Sequence, residues 1–251
     1  MNNINNNKPI VFLTTPTSAT ASMWRIISLI NRNLYKMVRY TDEFYHNGEL
    51  EKIKTSLLPS ECGNIILFNT PMFFNFEQDL TSFRYMVNVR DPRDLLCNMY
   101  HWALVHPDPS ENDKSFRERI DLVRKTGIDQ FVMDKDIKVF YSNIIKLWEM
   151  KKVVGFNGTS ITYSKLCTDF DSFIDRISNF INSPITSKEL KKLETERIEK
   201  LSTNKDWIGN HWNGSDVLPG RYKNELQSST ITWLNNKYRN EIDFCNMLDK
   251  E

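Results

Sequence analysis

Much that would betray a function is scarce in this sequence. Its four cysteines (Cys62, Cys97, Cys167, Cys245) are scattered with no CxxC pair. That spacing argues against a disulfide framework or a zinc site and predicts reduced thiols. Histidines number four as well (His46, His101, His106, His211), so few imidazoles are available as bases or ligands, and no metal site is expected. Net charge is nearly absent, with 33 Lys+Arg against 32 Asp+Glu, which removes the basic footprint of a nucleic-acid partner. No apolar run approaches the ~20 residues of a membrane span. Met1 to Asn7 lack the basic and apolar parts of a signal peptide. A cytoplasmic protein is expected, binding neither membrane nor nucleic acid. Residues 1–8 read as a disordered Asn-rich tail and 9–251 as a single domain.

What is present is an alternation of strands and helices. Ile10–Leu13, Ile65–Phe68 and Tyr85–Val89 are short apolar runs of the kind buried on both faces of a parallel sheet. Val153–Phe156 and Ser160–Tyr163 are expected as two further strands around a turn. Met23, Ile26, Ile27, Ile30 and Leu34 share one helical face, and Arg39 to Pro59 is a polar segment. Helices are expected over 92–105, 115–126, 128–151, 170–181, 187–201 and 230–248. This order predicts an α/β fold whose ligands sit at the carboxyl ends of the strands.

Two strand-to-helix junctions carry chemistry. After the first strand, Leu13-Thr14-Thr15-Pro16-Thr17-Ser18-Ala19-Thr20 feeds the first helix through small hydroxylated residues. Such a loop offers free backbone N–H groups and the positive end of a helix dipole, hence an anion site. The structural alternative is that Ser18 or Thr20 simply caps the helix. The loop has neither the glycines nor the lysine of a GxxxxGK[ST] motif, which disfavours a kinase. At the second junction, Val89-Arg90-Asp91-Pro92-Arg93-Asp94, Asp91 is placed as N-cap, Pro92 at N1 and Asp94 at N3. Arg90, ending a strand, can fork two hydrogen bonds onto a phosphate. Asn98 lies two turns further on, and Arg93 reads as a solvated helix-start residue.

With these residues in hand, the sequence resembles the cytosolic-type sulfotransferases that use 3′-phosphoadenosine-5′-phosphosulfate (PAPS). Pro16-Thr17-Ser18-Ala19-Thr20-Ala21 resembles their Pro-Lys-Ser-Gly-Thr-Thr loop. Arg90-Asp91-Pro92-Arg93-Asp94, with Asn98 in place of a serine, resembles their 3′-phosphate motif. Tyr163-Ser164-Lys165-Leu166 and Gly220-Arg221-Tyr222-Lys223-Asn224 resemble two later family segments in the same order. The resemblance implies a P-loop-like parallel β-sheet flanked by helices, with PAPS as donor and 3′,5′-adenosine bisphosphate (PAP) as product. It assigns donor binding to Thr15, Thr17, Ser18, Ala19, Thr20, Ala21, Ser22, Arg90, Asn98 and Tyr163. Gly214, Ser215 and Arg221 stand as substitutes for a missing Arg-Lys-Gly.

The departures are as informative. Thr17 occupies the place of a lysine, and Phe68-Asn69-Thr70-Pro71 lacks the family's histidine. Glu43, in Thr41-Asp42-Glu43-Phe44-Tyr45-His46, is the first candidate for the base by likeness to sugar-sulfating relatives, and His46 the second; both could equally lie on an exposed charged loop. His101 reads as a packing residue, and His106 and His211 as possible neighbours of an acceptor. The acceptor pocket is expected from 39–50, 71–76, 102–114 and 207–212, segments that mix aromatics with carboxylates. The expected reaction is sulfuryl transfer to a hydroxyl or amine of a small polar acceptor, with guanidinium alkaloids such as saxitoxin, products of secondary metabolism, as one candidate. The alternatives are a catalytically degenerate PAP-binding protein and a glycan-modifying enzyme of the same fold. The oligomeric state is left open.

Overall fold

Ile10–Thr14, apolar up to its final threonine, forms the centre of a parallel sheet because both of its faces are covered. A computed structural model describes residues 8–39, 45–46, 49–50, 65–69, 76, 79–108, 111–198 and 217–251. Its strands are β1 (Ile10–Thr14), β2 (Lys36–Arg39), β3 (Tyr45–His46), β4 (Glu49–Leu50), β5 (Ile65–Asn69), β6 (Arg84–Asn88) and β7 (Gly158–Ser160). Its helices are α1 (Thr20–Asn31), α2 (Pro92–Ala103), α3 (Asp113–Asp134), α4 (Lys138–Val154) and α5 (Tyr163–Thr168). They continue with α6 (Phe170–Ile181), α7 (Ser187–Leu193), α8 (Tyr222–Glu225), α9 (Ser228–Lys237) and α10 (Arg239–Leu248).

Among the described residues, five strands pair in the order β2-β5-β1-β6-β7, all parallel, while β3 and β4 form a small antiparallel pair. Alternate residues of β1 serve opposite faces. Ile10 and Phe12 pack with Met23, Ile26 and Ile27 of α1 and Phe173 of α6. Val11 and Leu13 join Leu95 and Leu96 of α2 and Ile144 and Leu147 of α4. Each such fully buried side chain contributes roughly 1.5–3 kcal/mol of transfer free energy. The chain leaves β1 towards β2 on one side and β6 towards β7 on the other. The carboxyl ends of β1 and β6 therefore meet at a topological switch point, where doubly wound sheets open a crevice.

The structure departs from the sequence expectation at several elements. α1 stops at Asn31 rather than Leu34, because Arg32 and Asn33 turn left-handed (φ 45° and 65°). Asn31 then locks the turn reciprocally with the backbone of Tyr35, at 2.7 and 2.8 Å. That turn launches β2, a strand between the expected first helix and the polar segment from Arg39, where no strand was expected. Val153 and Val154 end α4 instead of forming a strand, and Gly155 (φ 76°) closes the helix with its N–H on the Lys151 carbonyl. The strand is Gly158–Ser160. Gly127 (φ 73°, ψ 161°) breaks α3, and the helix expected over 128–151 is interrupted at 135–137. The helix expected over 230–248 divides at Tyr238. No helix among the described residues is long and apolar enough to cross a membrane.

Candidate functional site

The loop from Thr15 to Ala19 leaves β1 at the switch point and is braced from β6. Asn88, fully buried, donates through Nδ2 to Thr14 Oγ1 (3.0 Å) and to the Ser18 carbonyl (2.7 Å). Thr15 and Ser18 share a hydroxyl–hydroxyl bond of 2.6 Å. Ser18 also reaches the Pro16 carbonyl, so its hydroxyl faces into the loop rather than outward. Neither Ser18 nor Thr20 caps α1. The N-cap is Ala19, left-handed at φ 58° and ψ 36°, with no side-chain bond to the helix. The first intrahelical bond is Met23 N–H to the Ala19 carbonyl. Helix geometry therefore leaves the N–H groups of Thr20, Ala21 and Ser22 without an intrahelical acceptor.

Arg90 faces this turn. It is 3% exposed, yet only its Nη1 is bonded, to the Thr17 carbonyl at 2.8 Å. Its Nε and Nη2 are buried without a hydrogen-bond partner, as is Thr17 Oγ1. The guanidinium lies over the Tyr163 ring, 4.1 Å from its centroid. Asn98, one helical face along, donates to the same Thr17 carbonyl at 3.4 Å. The backbone of Arg90 is fixed as well: its N–H meets Thr15 Oγ1 (3.3 Å) and its carbonyl accepts from Tyr141 Oη (2.5 Å). Burial pushes the Tyr163 phenol up, so it stays protonated and donates to the Val217 carbonyl. Buried polar groups without partners are uncommon in folded proteins. Three such atoms, Thr17 Oγ1 and the Nε and Nη2 of Arg90, sit beside an open helix N-terminus, around a cavity of about 1060 Å³.

Thr17, Ala19, Thr20, Ala21, Ser22, Arg90, Asn98 and Tyr163 all line that cavity. Arg221 does not: its fully buried guanidinium forks onto Glu225, which also meets His101 Nε2 at 2.9 Å. His101 thus packs structurally, as expected, and Arg221 lies outside the cavity lining. Glu43, Gly214, Ser215 and His211 lie outside the described residues, and His46 is described only as part of β3. Arg93 is not solvated. It forks onto Asp91 and stacks on Tyr222 at 4.1 Å. Asp91 caps α2 as predicted, while Asp94 receives the N–H groups of Gly220 (2.6 Å) and Tyr222 (3.1 Å). Burial raises the Asp94 carboxyl despite those bonds.

No protein-family model matches the sequence, and a search of curated proteins finds no match. Solved structures do match. Mouse sulfotransferase SULT7A1, complexed with PAP, aligns over 97% of this chain and 88% of its own, with a TM-score of 0.58 and 19% identity. Retinol dehydratase, in complex with androsterone and the inactive cofactor PAP, aligns over 92% and 80%, with a TM-score of 0.57 and 15% identity. The chain has the sulfotransferase fold.

Within that fold, Asn88, Leu122, Val123 and Phe131 are residues the sequence did not single out. Asn88, an amide ending the strand before Arg90, is the brace of the anion loop. Part of the cavity wall comes from α3 through Leu122, Val123 and Phe131, in a helix whose mixed charge gave no hint of a site. Trp102 and Asp108, from the expected 102–114 segment, also line it, and His106 stacks on Trp102 at 4.8 Å. Arg25 of α1 lines it too, held by a two-pronged pair with Glu196 at 2.8 and 2.9 Å. The Cys97 and Cys245 thiols are pushed up by burial, which makes them inert.

Proposed function

We propose that this protein binds PAPS in the cavity at the switch point and transfers its sulfuryl group to a hydroxyl or amine of a small acceptor. The observation that carries the reading is Arg90. A buried guanidinium with two unpartnered nitrogens, set beside three open helix N–H groups, calls for a multiply charged anion. A nucleotide bearing phosphate groups at both ends satisfies both, with Arg90 and Asn98 at one phosphate and the Thr17–Ser22 turn at the other. PAP in the fold's solved relatives supports this choice of nucleotide.

In the reaction, the bond from sulfur to the bridging oxygen breaks as the acceptor oxygen or nitrogen bonds to sulfur. PAP leaves, and the acceptor proton passes to a base, for which Glu43 and then His46 are the candidates. Positioning and the helix N-terminus supply the charge stabilisation. The wall formed by Met99, Trp102, Ala103, Leu122, Val123 and Phe131 is apolar, and Asp108 and Asp134 also face the cavity. That supports an acceptor with an apolar ring body and a polar or cationic group, a description that fits an alkaloid. The protein is then a cytoplasmic enzyme of secondary metabolism.

A second reading has its own observation: Thr17 brings no charge to the loop. The protein would then hold PAP without turnover. Calorimetry with PAP, against ATP–Mg²⁺ as the comparison ligand, tests both readings. Tight PAP binding with little response to ATP is expected; absence of PAP binding refutes both. Transfer of radiolabelled sulfate to ring-bearing amines and alcohols then separates enzyme from binding protein. Glu43→Gln is expected to abolish transfer and spare PAP binding.

A further inference from the structure

We propose that Arg25 is a second charged group of the anion site, held in reserve by Glu196 until an anionic ligand displaces that carboxylate. The inference rests on the cavity being a nucleotide site. Arg25 lies three residues after Ser22 and so shares its helical face, and helix side chains lean towards the N-terminus. Its Nη2 reaches Ser22 Oγ at 3.2 Å, which brings the guanidinium back to the open N–H groups of Thr20, Ala21 and Ser22. Arg90 approaches the same turn from the other side, through the Thr17 carbonyl. Two arginines therefore bracket one helix N-terminus.

The charge balance makes the second one necessary. Each phosphate group carries about −1.5 to −2 near neutral pH, so a bisphosphate brings roughly three to four negative charges. Of the other cations lining the cavity, Arg119 is engaged with Glu111 and with the Ala103 and His106 carbonyls, and Lys135 sits over the Phe131 ring. Arg25 is 38% exposed at its side chain, within reach of a ligand, whereas Glu196 is only 10% exposed. A phosphate offers the guanidinium fork the same two-pronged geometry as Glu196 does. The phosphate also engages the α1 N–H groups, which the carboxylate leaves unused. Exchange of partner follows, and Glu196 opposes binding for as long as it holds Arg25.

The sign of one substitution decides the matter. PAP and inorganic pyrophosphate are titrated calorimetrically into the wild type, Arg25→Gln, Glu196→Gln and the double variant, with thermal melts confirming that each is folded. Arg25→Gln is expected to weaken both ligands about tenfold. Glu196→Gln is expected to tighten them several-fold, and the double variant to match Arg25→Gln alone. Arg25→Lys, which keeps the charge but loses the fork, should recover only part of the affinity lost in Arg25→Gln. If Glu196→Gln weakens binding or leaves it unchanged, the pair is only a brace between α1 and the turn after α7, and the proposal fails. Wild type that binds pyrophosphate but not PAP refutes the nucleotide reading, and the pyrophosphate series then decides the role of Arg25. Binding of neither ligand refutes both.

Discussion

The guanidinium of Arg90 lies on the ring of Tyr163, 4.1 Å from its centroid, so the residues ending one strand region and beginning one helix act as a unit. Tyr163 supplies a flat, protonated platform, and its N–H is held by the Val89 carbonyl at 3.0 Å. Thr15 and Tyr141 fix the Arg90 backbone from two other elements. A side chain restrained this way loses little further entropy when it meets a ligand. Its two idle nitrogens are therefore preorganised rather than merely unsatisfied.

Arg90→Ala should consequently cost most of the PAP affinity. Loss of a charge-assisted, two-pronged contact is worth about 2–3 kcal/mol, or roughly a 30- to 150-fold rise in Kd by calorimetry. Arg90→Lys should recover only a fraction, because an ammonium lacks the fork and stacks poorly on Tyr163. Unchanged binding in the alanine variant would remove the anion site from this junction.

Asn88 makes a separate contribution, through the shape of the loop. Its amide is the donor for both Thr14 Oγ1 and the Ser18 carbonyl. Asn88→Ala leaves those buried acceptors unmatched, which costs about 1–3 kcal/mol. For a chain of this size the melting temperature should fall by roughly 2–10 °C. Asn88→Asp should be worse, since it sets a carboxylate against two acceptors. A melt indistinguishable from wild type in either variant would mean the brace does not hold the loop.

The site and the fold were unequally legible in the sequence. β1, the first turns of α1, the Arg90 junction and α6 could be read because continuous apolar runs, a Pro at N1 and a 3.6-residue period are local signals. β2 escaped because the turn that launches it depends on left-handed Arg32 and Asn33, which no glycine announces. Val153 and Val154 misled because two β-branched residues resemble a strand, when Gly155 behind them was in fact a helix stop. Arg221 was assigned to the ligand by its position in a motif, and its pairing with Glu225 one turn later was not legible there. The α3 wall of the cavity is a product of tertiary packing and left no mark on the local pattern.

Ala19 offers a test of the loop's backbone. Its left-handed conformation (φ 58°) costs an alanine about 1–2 kcal/mol, where glycine is at ease. The extra freedom of glycine in the unfolded chain offsets part of that gain. Ala19→Gly is thus expected to leave PAP binding intact and raise stability by up to about 1 kcal/mol, or a few degrees in the melt. A clear drop in the melting temperature would show that the N-cap relaxes to another conformation in solution.

Glu225 gives a pH-dependent prediction whose sign follows from its neighbours. Burial works to raise its carboxyl, but hydrogen bonds from His101 and Arg221 outweigh that and hold it below the ordinary 4.5. A carboxyl depressed in the folded state contributes stability that is fully present above 4.5 and lost as pH falls through the lower folded value. Glu225→Gln removes that contribution and strands the fully buried Arg221 guanidinium, at a cost of roughly 3 kcal/mol near neutral pH. Urea unfolding at pH 7 should show this deficit in full, and at pH 3 the gap between wild type and variant should be narrower, because below 4.5 the unfolded chain takes up a proton that the folded carboxyl resists. Asp94 works in the opposite sense, since burial raises its carboxyl and acid relieves the penalty. An Asp94→Asn control should therefore not reproduce the narrowing. A deficit that is the same at both pH values would mean that the charge of Glu225, paired with Arg221 beside it and with His101 of α2, is not what stabilises this junction.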